Sequence, residues 1–364
     1  MKKIGIYTFF WTSYGAVLQA YSLSRTLKAL FPEDLVMVVK YQSPTTKLNM
    51  SVFGRKATNP LTNVLWNFFA SFRYRQLKHR FNLFEVFRNQ HFQFTQLYDD
   101  HRLMVASPPQ LDVHISGSDQ VFNQRKAARD VFYLNFEKGQ SRKVAYAPSF
   151  GISEFTEEEM KYIRHCLSDF DFLSCREESG AMFMSDLLDR EVSTVIDPVF
   201  LTPANEWEKI AKAPYTKERY VFIFSLMKAS SLLRIARKLP KEYSDCKIIV
   251  LSPHDWRFYT RCKHIYNPGP REFVGLIRNA ELVLTDSFHG TAFSILFHKK
   301  FYTYISQPKY GSRIISLLGS LALDDRVLHS SDSIPTAYHV VDYQSKLDSM
   351  VKDSICYLKQ AISR

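Results

Sequence analysis

The sequence predicts an α/β protein made of two doubly wound, Rossmann-like domains facing a cleft. Three observations carry that reading. Short apolar runs end repeatedly in turns of small polar residues, as buried parallel strands do at their carboxyl edge. Residues 3–41 read as strand, turn, helix, strand, which is how a doubly wound sheet opens. The same plan restarts at Tyr220, after a helix around Trp207. A boundary near residue 210 follows, with one domain expected over 1–210 and a second over 211–364.

Taken in order, Lys3 to Phe10 is the first strand and Thr12-Ser13-Tyr14-Gly15 the turn behind it. Ala16 to Leu27 carries apolar residues at three-four spacing and reads as a helix. Leu35 to Tyr41 is the second strand. The one glycine in the first turn gives no GxGxxG, so no dinucleotide site is expected there. From 55 to 98 the composition becomes aromatic and basic. Arg73, Arg75, Lys78, Arg80 and Arg88 alternate with Phe69, Phe72, Phe81, Phe84 and Phe87, and Glu85 is the only acid between Trp66 and Phe92. One or two amphipathic helices are expected here, inserted between strands. Two accounts fit them: packing on the core with a solvated basic face, or contact with anionic lipid.

Val113–Ser116 and Lys143–Ala147 read as strands, ending in the turns Gly117-Ser118-Asp119-Gln120 and Pro148-Ser149-Phe150-Gly151. Phe172 to Gly180 repeats the plan, and a strand over Val195–Leu201 closes the first half. In the second half, strands are expected at Tyr220–Ser225, Cys246–Leu251, Leu282–Leu284 and Lys300–Ile305. Helices are expected near Leu232–Leu239, over Pro270–Ala280, from Ser312 onward, and at the tail through Leu347, Val351, Ile355, Leu358 and Ile362.

The chain has 364 residues, 46% hydrophobic and 23% charged, with a formal charge of +12 from 48 Lys and Arg against 36 Asp and Glu. That composition is globular. The positive excess favours anionic partners: nucleic acid, an acidic membrane face or phosphorylated small molecules. No nucleic-acid motif gathers the basic residues, so nucleic acid is not expected. The cysteines at 166, 175, 246, 262 and 356 form no CxxC and no metal spacing, and read as reduced thiols. The apolar start, Met1 to Trp11, is short and broken by Gly5 and Thr8, so it reads as a strand rather than a signal peptide. No stretch approaches the roughly 20 apolar residues of a membrane span. A cytoplasmic protein is expected.

The stretch with the most chemistry is Leu282 to Thr291, where an apolar strand ends in Thr285-Asp286-Ser287 and continues Phe288-His289-Gly290-Thr291. Ligands of open α/β sheets sit outside the carboxyl ends of strands, facing helix N-termini. A histidine, two hydroxyls and a glycine there make a candidate anion-handling site.

The strand-end turns, taken in order, resemble those of the polysaccharide pyruvyl transferase family. The matching segments are Thr12 to Ala20, Gly117 to Asn123, Tyr146 to Gly151, Cys175-Arg176-Glu177, Asp197 to Leu201, and Asp286 to Thr291. Together they cover roughly residues 3 to 320. The resemblance implies a two-domain, GT-B-like fold. It implies transfer of pyruvate from phosphoenolpyruvate to two hydroxyls of a sugar, leaving a cyclic ketal. It also implies an acceptor carried on lipid at the inner face of the membrane. Relatives have an Arg-Leu-His-Gly run; here it reads Ser287-Phe288-His289-Gly290 and lacks the arginine.

Such a transfer needs a group that moves protons at neutral pH, and His289 is the candidate. It needs cations that grip phosphate and carboxylate. Arg176, at a strand-end turn, and Arg313, at a helix start, are the candidates, although Arg313 also reads as a surface arginine. Ser118, Ser149, Ser287 and Gly290 are expected on the donor side as hydroxyl or backbone contacts. Tyr14, Gly15, Gln19, Asp119 and Gln120 are expected on the acceptor side, although Asp119 reads somewhat better as the cap of the next helix. Glu177 is expected to orient Arg176. No cofactor and no metal are called for. A nucleotide-sugar glycosyltransferase is the competing reading, because the fold serves that chemistry as readily.

Overall fold

The structure is a computed structural model. It describes residues 1–364 apart from 51–63, 65–66, 69–70, 125–128, 138, 214–215, 228, 254–259, 307, 330–333, 336–337 and 364. The chain divides into two compact units. Unit 1 is Met1–Lys47, Arg88–Thr202 and Tyr343–Arg364; unit 2 is Leu48–Phe87 and Pro203–Asp342.

Unit 1 opens as the sequence predicts. β1 (Lys3–Tyr7) leads through α1 (Tyr14–Leu30) to β2 (Leu35–Val38), and the two strands pair in parallel. Val17, Leu23 and Leu27 hold α1 on the sheet, all with no exposure. Next comes α2 (Tyr74–His91), whose residues from Arg88 onward belong to unit 1. β3 (Val113–Ser116) and β4 (Arg142–Ala145) complete a parallel sheet of order β2-β1-β3-β4. β5 (Ser174–Cys175) and β6 (Ser193–Thr194) form a separate parallel pair. The strand expected over Val195–Leu201 is instead a 3-10 turn, Pro198–Leu201. Pro198 has no N–H to give a strand, and the Asp197 carboxylate accepts from Val199 N–H at 3.1 Å and bends the chain.

Unit 2 holds a parallel sheet of order β12-β11-β10-β7-β8-β9. Its strands are β7 (Tyr220–Phe224), β8 (Lys247–Leu251), β9 (Lys263–Ile265), β10 (Leu282–Thr285), β11 (Phe301–Tyr304) and β12 (Val327–Leu328). Three helices matter for the site: α3 (Pro270–Arg278), α4 (Phe288–Leu296) and α5 (Pro308–Ser320). β7 and β10 are buried along their whole length, which is why they read as unbroken apolar runs.

The expected division at residue 210 misassigned two segments. The tail helix α6 (Gln344–Ser363) packs on unit 1, where Tyr357 Oη donates to Ala145 O at 2.8 Å and Ile196 N–H to Ser354 Oγ at 2.9 Å. Lys2 Nζ also donates to Ile362 O at 2.8 Å. Residues up to Phe87 of the helical insertion belong to unit 2. There the Arg73 guanidinium lies 3.8 Å from the centre of the Tyr266 ring.

The insertion is also less basic on its surface than its composition suggests. Arg80 is 8% exposed and Arg88 5%, while Phe84 and Phe87 are buried. Arg88 donates to Trp11 O and stacks on the Trp11 ring. The expected lipid contacts through Arg80, Arg88, Phe84 and Phe87 are therefore excluded by burial. Trp66, Phe69 and positions 55–63 lie outside the described residues.

Candidate active site

In unit 2 the His289 motif is built from β10 outward. Thr285 Oγ1 donates to Phe224 O at 2.7 Å and accepts from Ser287 N–H at 3.0 Å. α4 starts directly after, with Ser287 as its cap and the Ser287 Oγ accepting from Gly290 N–H at 3.4 Å. Such a cap satisfies one of the N–H groups that a helix start leaves over. His289 thus sits in the first turn of α4, 6% exposed. Its ring meets Phe288 edge to face, with centroids 5.2 Å apart. A β-carbon on Gly290 would stand 2.4 Å from Thr285 Oγ1, so only glycine lets the helix come this close. The result is an imidazole beside the positive end of a buried helix, a setting that favours anions.

Asp286 had no role in the sequence reading, and the structure supplies one. Its carboxylate accepts from Ser225 Oγ at 2.6 Å, Leu226 N–H at 2.7 Å and Met227 N–H at 3.3 Å. Burial pushes this carboxyl up, and the hydrogen bonds oppose the shift. Asp286 ties the turn after β7 to the turn after β10. The only local signal was an acid at a strand end; its partners lie about sixty residues earlier in the chain. Arg313 is not at a helix start. α5 begins at Pro308, which leaves Arg313 in the second turn and half-buried.

In unit 1 the predicted turns are knitted together at the carboxyl edge of the sheet. Gln19, fully buried, donates to Thr8 Oγ1 at 2.8 Å, Phe9 O at 3.2 Å and Ala16 O at 2.9 Å. Thr8 Oγ1 donates to Ser118 O at 3.1 Å, and Ser118 Oγ to Ala147 O at 2.9 Å. Ser149 N–H donates to Asp119 O at 2.8 Å, and Gly151 N–H to Ser149 Oγ at 3.1 Å. Gly117 is required where it stands: its φ is +139°, and a β-carbon would meet Tyr146 O at 1.9 Å. Asp119, at φ +69°, accepts from Gln120 N–H at 2.8 Å within its own turn and caps no helix. The Gln120 side chain packs against Gly151.

Two expectations for unit 1 change. Tyr14, Gly15 and Gln19, expected on the acceptor side, are buried in the start of α1, where the Gln19 amide is engaged by Thr8, Phe9 and Ala16. Arg176 is already engaged. Its Nη1 donates to Asp197 Oδ2 at 2.6 Å and its Nε to Glu177 Oε1 at 3.1 Å, with all three residues buried. Burial alone would lower Arg176; the Glu177 and Asp197 carboxylates outweigh it and raise it. A guanidinium held this way balances two buried carboxylates. Unit 1 therefore brings Ser118, Asp119, Gln120 and Arg176 together, and unit 2 brings Ser287, His289 and Gly290 together. Among the described residues no group of His, Cys, Asp and Glu is placed to hold a metal ion, and no helix is long and apolar enough to cross a membrane.

The family model for polysaccharide pyruvyl transferase matches residues 14–307, a span that takes in both clusters. The chain belongs to the polysaccharide pyruvyl transferase family. That family is one of enzymes of polysaccharide biosynthesis, and the turns from Tyr14 to Thr291 lie within the match. No curated protein resembles this family member closely enough to count as a match. Solved structures do. S. aureus MnaA, in a co-structure with UDP, is 12% identical over 98% of this chain and 88% of its own, with a TM-score of 0.51. UDP-GlcNAc 2-epimerase of Methanocaldococcus jannaschii, in complex with UDP-GlcNAc and UDP, is 12% identical over 97% and 92%, with a TM-score of 0.46. The Streptomyces sp. SF2575 glycosyltransferase SsfS6, complexed with thymidine diphosphate, is 11% identical over 100% and 95%, at 0.43. At this identity the first likeness speaks to fold alone. The fold is the expected α/β class, with two Rossmann-like units of the GT-B kind.

Proposed function

We propose that this pyruvyl transferase moves pyruvate from phosphoenolpyruvate to two hydroxyls of one sugar, forming a cyclic ketal on a lipid-linked precursor of a surface polysaccharide. The observation that carries the reading is His289, held in the first turn of α4 at the carboxyl end of β10, inside the family match. Carbon 3 of the donor takes up a proton. A sugar hydroxyl adds to carbon 2 and releases its own proton. The bond from carbon 2 to the phosphate oxygen breaks, and inorganic phosphate leaves. The second hydroxyl then adds to carbon 2, releasing another proton. Proton traffic of this kind suits an imidazole at neutral pH, and His289 is the group assigned to it. The positive end of α4 favours the departing phosphate. This chemistry calls for no metal or further cofactor.

Work at a lipid-linked acceptor agrees with a cytoplasmic enzyme that touches the inner face of the membrane. The surface assigned to that contact is smaller than the sequence suggested. Phe68 and Phe72 are exposed and meet edge to face at 5.0 Å, with Arg75 and Lys78 exposed beside them in sequence. Incubation with phosphoenolpyruvate and a panel of lipid-linked glycans, read by mass spectrometry, tests the reading. A pyruvyl ketal is the expected addition. A hexose transferred from a nucleotide sugar, with no ketal from phosphoenolpyruvate, would replace it with the glycosyltransferase reading.

A further inference from the structure

Arg80 is buried on the inward face of α2, in line with Leu77, Phe84 and Phe87 at helical spacing. Its Nε and Nη1 have no hydrogen-bond partner among the described residues. The Phe81 ring, on the next residue, has its centre 5.3 Å from the guanidinium carbon. Arginine cannot shed its charge inside a protein, and a buried charge without acceptors is costly. Most sequences avoid the cost by pairing the group, as this one does for Arg176. At Arg80 neither Nε nor Nη1 has an acceptor among the described residues.

The position of the helix says where that acceptor belongs. Leu83, one turn on from Arg80, fills the space a β-carbon on Gly269 would need, at 2.5 Å, and Arg73, two turns back, covers Tyr266. Tyr266 to Gly269 is the connection leaving β9. All strands of this sheet are parallel, so that connection leaves the same edge as Ser225, Ser252 and the Asp286–His289 turn. The acid on the packed element, Glu272, is already taken by Lys212 Nζ at 3.0 Å and Gly269 N–H at 3.1 Å.

We infer that Arg80 is a preformed receptor for an oxyanion, a phosphate or carboxylate bound at the carboxyl edge of the second sheet through guanidinium N–H groups left without protein acceptors among the described residues. The ligand's identity rests on the proposed function, under which it is an anionic group of phosphoenolpyruvate. The family's usual arginine before the histidine is absent from this chain, and Arg80 supplies a cation from another element.

Thermal unfolding of the full chain with inorganic phosphate, with pyruvate and with neither tests this directly, in wild type, Arg80→Met and Arg80→Lys. Phosphate or pyruvate should raise the wild-type Tm, and Arg80→Met should abolish the rise. Without ligand, Arg80→Met should melt no lower than wild type, because it removes an uncompensated charge at similar volume. A purely structural arginine would instead lower it. In turnover assays Arg80→Lys should raise the KM for phosphoenolpyruvate about tenfold or more and leave the acceptor KM alone. Absence of any anion-dependent rise in wild type, or its survival in Arg80→Met, would overturn the anion site. The two readings fail separately: an Arg80-dependent phosphate response without ketal formation sinks only the proposed function, and ketal formation with an unchanged donor KM in both variants sinks only Arg80.

Discussion

Thr285 Oγ1 occupies the space that a β-carbon on Gly290 would need, 2.4 Å away, and this contact sets how closely α4 approaches β10. His289 is the residue before that glycine, so its place depends on the contact. Gly290→Ala should destabilise the protein by about 1–3 kcal/mol, the usual range for overpacking. Turnover should fall as the helix start shifts. An unchanged Tm would mean that the helix yields freely and that the glycine is not a packing requirement.

His289→Ala removes the imidazole and leaves the Ser287 cap and the Gly290 contact in place. The variant should fold with a normal circular dichroism spectrum and Tm. Ketal formation should drop about a hundred- to ten-thousand-fold, the range for loss of a positioned acid or base. Near-wild-type turnover in the folded variant would take His289 out of the mechanism.

Arg176 offers a contrast with Arg80. Because Asp197 and Glu177 depend on it, Arg176→Ala leaves two buried carboxylates uncompensated. Urea unfolding should reveal a loss of about 3–5 kcal/mol. Arg176→Lys should recover part of that stability, since it keeps the charge but loses the fork. If Arg176→Ala were as stable as wild type and impaired only in donor binding, Arg176 would be a ligand contact after all.

His114 makes stability depend on pH. Burial, and then the Lys143 ammonium, push it down to about 4 from 6.5. Its Nδ1 pairs with Tyr7 Oη at 2.8 Å. Below pH 6.5 the unfolded chain takes up a proton that the folded chain refuses until about pH 4. Stability should therefore fall as pH drops through that window, by about 3 kcal/mol in all. His114→Leu should flatten this part of the stability–pH curve. An equally steep curve in the variant would assign the acid sensitivity to other groups.

Vesicles containing anionic lipid should co-sediment the protein at low salt, and moderate salt should release it. Phe68→Ser with Phe72→Ser, or Arg75→Gln with Lys78→Gln, should weaken the interaction without lowering the Tm. Wild-type protein that stays in the supernatant at low salt would leave Phe68 and Phe72 as ordinary exposed residues.

What could be read from the chain alone was local. The apolar runs of β7 and β10, the turn at Gly117–Gln120 and the cap at Ser287 each follow from residues a few positions apart, and each lies where the pattern placed it. Partner choice across long separations was not legible. Arg176, Arg80 and Arg75 look alike in sequence; one is paired with carboxylates, one is buried with Nε and Nη1 unpartnered among the described residues, and one is solvated. Asp286 looked like part of a turn until its partners at Ser225 to Met227 appeared. The periodicity of Leu347 to Ile362 announced a helix but carried no address, and a hydrophobic stripe does not say which surface it covers.

The return of α6 to the first sheet has a consequence for biosynthesis. Tyr357 reaches Ala145, Ser354 reaches Ile196, and Lys2 reaches Ile362, so the surface that seals unit 1 lies hundreds of residues downstream of β1. Domains tend to fold as they leave the ribosome, starting from the N-terminus. Here the strands laid down first must wait with one flank bare until residues 344–363 have emerged, long after the segments of unit 2 are out. The nascent chain thus carries, uncovered through most of its synthesis, the flank that α6 will cover.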